Sequence, residues 1–173
     1  RQGIAVNSIT LFIFGGLASL GEESKTPAGA FWVAIAGPLV SLLLFGALTA
    51  VRLFTGMSGA LAAMVGLLAA INLALALFNL LPGLPLDGGN VLKAIVWKIT
   101  GKPYRGVAFA SRAGQVLGWI GIGLGLLGVL GISPVGNIWT LLVGWFLLQN
   151  AGRYAQAASM QEQLSGLAAS DAV

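Results

Sequence analysis

Between Glu23 and Glu162 the chain holds one acidic residue, Asp87. Around it lie runs with no charge at all: residues 28–51 and 59–80 before it, and 113–132 after it. Runs of that length match a hydrocarbon layer of ~30 Å. A soluble domain carries about a quarter charged residues, whereas this chain has 8% charged and 57% hydrophobic residues. The pattern therefore requires a polytopic membrane protein. A carboxylate at membrane depth is expensive and needs a cation, a proton or a metal as partner.

Asp87 closes the stretch Asn79-Leu80-Leu81-Pro82-Gly83-Leu84-Pro85-Leu86-Asp87-Gly88. Two prolines forbid a regular helix through it, and Gly83, Gly88 and Gly89 permit a tight, irregular path. Two readings of Asp87 stand side by side. In isolation, Asp-Gly after a proline is an ordinary turn at a membrane surface. In a charge-free setting, an unwound segment presenting one carboxylate is suited to holding a ligand.

The pattern N-x-x-P-x-x-x-L-D-G resembles the second metal motif of the site-2 protease family, the intramembrane zinc metalloproteases. The resemblance implies that Asp87 is a zinc ligand and that Asn79 lines the active site near the substrate. It also implies substrate contacts at Pro82 and Gly83. The remaining zinc ligands of that family are two histidines of an H-E-x-x-H helix, whose glutamate serves as the base. This chain has no histidine and no cysteine, so it cannot complete a zinc site alone. Disulfides are excluded for the same reason. The resemblance therefore assigns the catalytic helix to a segment outside these residues, and this chain by itself is expected to be inactive.

Taken in order, residues 4–20 are rich in β-branched and aromatic residues and are divided by Gly15-Gly16. That predicts a β-hairpin, too short to cross a membrane as a helix. Such a ribbon either packs at the interface or offers an edge to an extended substrate. In site-2 proteases a sheet lies beside the active site, which implies substrate contacts at Ile9, Leu11 and Ile13. Glu22 and Glu23 fall in a polar break read as a solvated loop. Thr26-Pro27 predicts a helix N-cap and first position.

The first span, residues 28–51, contains Ala36-Gly37-Pro38. The triplet is similar to one in the same family, and its own chemistry reads as a proline kink with small residues for close packing. The second span carries Asn72 and Asn79 on one face. Asn72 is expected to bond a neighbouring helix. Residues 90–99 suit an interfacial helix with Trp97 in the aromatic belt and snorkelling lysines. The third span, 113–132, holds Gly114-x-x-x-Gly118 and Gly121-x-x-x-Gly125, spacings that allow close helix approach. A fourth, short span is expected over 135–151, with a polar helical tail after it.

The expected fold is thus an all-α polytopic membrane protein of about four transmembrane helices with a small membrane-associated β-hairpin. Residues 1–26 form the hairpin and loop, 27–153 the transmembrane core, and 154–173 a cytoplasmic tail. The end of that tail, 164–173, resembles the lead-in to a cystathionine-β-synthase-type pair found in one branch of the family. Lys25, the run from Lys93 to Arg112, and Arg153 would share one side and Arg52 the other. By the positive-inside rule both chain ends are cytoplasmic. The first residues, Arg1-Gln2-Gly3, lack an initiator Met and a signal-peptide pattern, so the chain reads as starting within a longer protein. A net charge of +4 on so apolar a chain reads as membrane topology, and a nucleic-acid partner is not expected.

Three function classes follow. The first is part of a zinc endopeptidase cutting membrane-spanning substrates within the bilayer. The second is a transporter element with Asp87 as an ion or proton site, although no inverted repeat is present. The third is a non-catalytic relative acting as a membrane scaffold.

Overall fold

A computed structural model describes residues 6–12, 15–20 and 24–170, with side chains for 24–163. Two antiparallel strands, β1 (Val6–Phe12) and β2 (Gly15–Leu20), precede five helices. The strands pair from Val6 with Leu20 to Phe12 with Gly15, with an irregularity between Val6 and Ser8. Ile9 and Leu11 lie on β1. Ile13 and the loop acids Glu22 and Glu23 lie outside the described residues, as do residues 171–173.

The helices are α1 (Pro27–Phe54), α2 (Gly59–Asn79), α3 (Asp87–Thr100), α4 (Pro103–Val129) and α5 (Ile138–Ser170). Helix α1 starts where the sequence places it. Thr26 is its N-cap, and the hydroxyl accepts from the Gly29 N–H at 3.1 Å. Helix α3 stops at Gly101, whose φ of +70° is the left-handed conformation that suits a residue without a side chain.

Three helices, α1, α2 and α4, are long and apolar enough to cross a membrane by length and composition. By these criteria the described helices supply three of the four spans expected from the sequence. The fourth apolar run is only the first part of α5 and meets charge at Arg153, at the short end of the ~17–25 apolar residues a crossing takes. It nevertheless runs beside α4 throughout. Gly136 meets Gly128, Leu141 meets Gly125, Gly144 meets Gly121, Leu148 meets Gly118 and Ala151 meets Gly114. The two glycine repeats in α4 therefore form the seam with an antiparallel α5.

Packing inverts the pattern of a soluble protein. The buried residues are mostly small: Ala34, Ala62, Ala69, Ala76, Ala94, Ala110 and Ala151. Large apolar side chains such as Leu43 (66% exposed) and Trp119 (63%) face outward. Small residues let backbones approach, and large ones meet lipid. Asn72 lies outside the expected interhelical role: its side-chain amide donates to the Leu68 carbonyl one turn back in α2, at 2.8 Å. A polar side chain can satisfy itself on its own helix when no partner reaches it.

Helix α1 packs on α2 and on α3, α3 packs on α4, and α4 on α5. Helix α3 thus joins two helix pairs, and Asp87 is its first residue.

Candidate functional site

The irregular path foreseen around the prolines is real but shorter than expected. It covers residues 81–86, and Gly88 and Gly89 already belong to α3. The turn is tied to α4 at Leu84. This side chain is 2% exposed, and its N–H donates to the Ala110 carbonyl at 3.1 Å. A second turn bond runs from the Leu86 N–H to the Gly83 carbonyl at 3.0 Å. Gly83 is buried against α4, where an added Cβ would stand 2.6 Å from the Gly114 Cα.

Two further glycines fix where α3 begins. A Cβ at Gly88 would run into the carbonyls of Leu80 and Leu81 at the end of α2. A Cβ at Gly89 would run into the Gly83–Leu84 peptide. The first turn of α3 therefore lies directly on the α2 terminus, and Asp87 is set at that junction. A carboxylate in the first turn of a helix also meets the favourable end of the helix dipole.

The third wall comes from α1. A Cβ built on Gly37 would lie 2.7 Å from Oδ2 of Asp87. The A-G-P triplet and the L-D-G motif thus meet in space, and the middle glycine supplies the clearance. Packing alone does not account for this triplet, and a packing reading of it missed the contact.

From this junction a cleft of about 240 Å³ opens between α1 and α3, lined by Ala30, Val33, Asp87, Asn90, Lys93 and Trp97. Asp87 is half-buried at this junction. Asn79, Pro82 and Gly83 do not line this cleft. Asn79 is half-buried on the last turn of α2, and Pro82 is exposed in the turn.

The donor set does not fit a complete zinc site. Among the described residues no three of His, Cys, Asp or Glu gather, and the chain contains no His or Cys. Zinc sites draw three or four ligands mostly from those residue types, and here Asp87 stands alone.

Comparison with known proteins bears on the same elements. Residues 55–121, from the α1–α2 turn into α4, match the model of peptidase family M50. The chain is 60% identical over 172 residues to "Putative zinc metalloprotease sll0528" of Synechocystis, which covers 99% of this chain and 45% of that protein. It is 40% identical over 176 residues to "Putative zinc metalloprotease Rip3" of Mycobacterium tuberculosis, again covering 45% of the relative. The chain thus spans a little under half the length of the curated relatives it matches. Among solved structures, the site-2 protease from Methanocaldococcus jannaschii superposes with a TM-score of 0.62 at 32% identity. That match covers 85% of this chain and 63% of the other. With the L-D-G junction and the apolar helices in place, these relationships make the chain similar to peptidase family M50, the site-2 proteases, over the elements that carry Asp87.

Proposed function

We propose that these residues form the Asp87-bearing part of an intramembrane zinc metalloprotease that cleaves membrane-spanning substrates. The observation that carries this reading is the placement of Asp87. One carboxylate is held at the α2–α3 junction against Gly37 of α1 and opens into a cleft. Asp87 would be one zinc ligand, and the other ligands and the base would come from outside this chain. Asn79 and the exposed Pro82 would lie on the substrate path, with Gly83 shaping the turn between them. Ile9, Leu11 and Ile13 would offer the edge to which an extended substrate adds.

The proposed topology places the Lys- and Arg-rich segment 93–112 in the cytoplasm. The apolar first part of α5, matched against α4 from Gly136 to Ala151, would cross back. Both chain ends would then face the cytoplasm, with 154–173 leading toward a cystathionine-β-synthase-type unit.

The test is Asp87→Asn in the intact protein, read as cleavage of a model membrane substrate and as bound zinc. Asn serves a turn as well as Asp does but lacks the charge a metal ligand supplies. Loss of even an outer partner costs about 10–100-fold in affinity or activity, and loss of a ligand should cost at least that. Wild-type cleavage with full zinc occupancy would return Asp87 to a turn role.

A further inference from the structure

A second cleft, of about 320 Å³, lies apart from Asp87 where α3, α4 and α5 meet. Its polar lining is Thr100, Tyr104, Arg105, Arg112 and Glu162. Arg105 and Arg112 are seven residues apart on α4, two turns and roughly 10 Å along one face. Their two positive charges against the one negative charge of Glu162 leave a net positive cleft. Tyr104 brings a further hydroxyl to the lining, whereas the Thr100 hydroxyl already donates to the Val96 carbonyl at 2.8 Å.

From Phe109, which lines the cleft, the same face of α4 continues away as Val116, Trp119 and Ile120, exposed by between 52% and 63%. It is the face opposite Gly114, Gly118, Gly121 and Gly125, which meet α5. Arg112 stands at the point where the charge-free run of α4 begins, the level at which headgroups meet acyl chains. Cationic donors at that level and an apolar stripe below them match one kind of molecule from end to end.

We propose that this cleft binds a phosphate-bearing anion, supplied by an anionic phospholipid whose chains lie along Val116 and Trp119. Arg105 and Arg112 hold the phosphate through charge-assisted N–H donors. Glu162, contributed by α5, weakens that hold and limits the site to a ligand that brings apolar contact as well. A soluble phosphate shares the headgroup chemistry but not the stripe.

The experiment measures lipid retention on the intact protein in neutral detergent, by native mass spectrometry. Phosphatidylglycerol and phosphatidylcholine are added separately, with inorganic phosphate as a third arm. A basic residue near an anionic surface contributes about fivefold. The wild type should therefore prefer phosphatidylglycerol by roughly twenty-five-fold, and R105Q/R112Q should lose about that factor, to near parity. R105K/R112K should keep most of the preference, which separates charge from misfolding. Glu162→Gln should tighten binding a few-fold, a change of opposite sign that general destabilisation would not give. Equal retention of the two lipids by the wild type would overturn the proposal, as would an undiminished preference in R105Q/R112Q. Inorganic phosphate binding that depends on both arginines, without any lipid preference, would assign the site to a soluble anion and overturn the lipid source.

Discussion

Gly37 of α1 stands directly against the carboxylate of Asp87 in α3, so close that a methyl group in its place would lie 2.7 Å from Oδ2. The clearance is a property of the glycine, and a substitution there acts on the carboxylate before it acts on the helix. Gly37→Ala favours the helix by up to about 1 kcal/mol yet must displace Asp87. Displacements of about 1 Å at a reacting centre cost on the order of a hundredfold. We expect the intact Gly37→Ala protein to unfold at an unchanged or higher temperature while cleavage falls at least tenfold. Gly46, in the same helix with open space around it, is the control, and Gly46→Ala should leave cleavage unchanged. Equal activity of the two variants would remove Gly37 from the site.

The anchor of the turn is open to a separate test. Gly114 faces the Leu84 carbonyl and the Ala151 Cβ, so a larger side chain has no place to go. Overpacking typically costs 1–3 kcal/mol. Gly114→Val should lower the unfolding midpoint in detergent by about that much, while Gly123→Val, in open space, should cost no more than the difference in helix propensity. A Gly114→Val protein as stable as Gly123→Val would show that the turn is not held at this point.

Topology can be read by labelling, because the chain has no native cysteine. Cysteines introduced singly at Ser58, between α1 and α2, and at Thr100, the last residue of α3, should react from opposite sides of the membrane. Reaction of both from one side would refute the proposed orientation.

Purified as residues 1–173, the chain should show no peptidase activity and only weak zinc binding. It offers Asp87 and scattered oxygens, far from a four-ligand site. Stoichiometric, tight zinc measured by equilibrium dialysis would mean that a donor set within these residues has been overlooked.

Much of this was legible in the linear pattern. The charge-free runs gave α1, α2 and α4, Thr26-Pro27 gave the start of α1, and the glycine repeats gave a close helix contact, though not that α5 makes it. The solitude of Asp87, with the L-D-G motif, marked the candidate site. The pairing of Gly37 with Asp87 was not visible, because the two residues are distant in sequence and a glycine signals only that something approaches, never what. Asn72 misled for the opposite reason. Its chemistry demanded a partner, and the nearest carbonyl of its own helix sufficed. The fourth span was the least legible, because residues 135–151 hold the apolar start of the longer helix α5 and their seam with α4 is not written in that run alone.

The alanine and glycine interior has a consequence for how this molecule responds to its surroundings. Helices already dissolved in lipid gain nothing by hiding oily surface from one another. What holds α4 to α5, and α3 to the end of α2, is close atomic contact, and dispersion attraction fades within a fraction of an ångström of separation. Cohesion here is set by distance rather than by area. A thinner, thicker or more fluid bilayer that eases these helices slightly apart would loosen the grip on Asp87 first, while every helix stays intact.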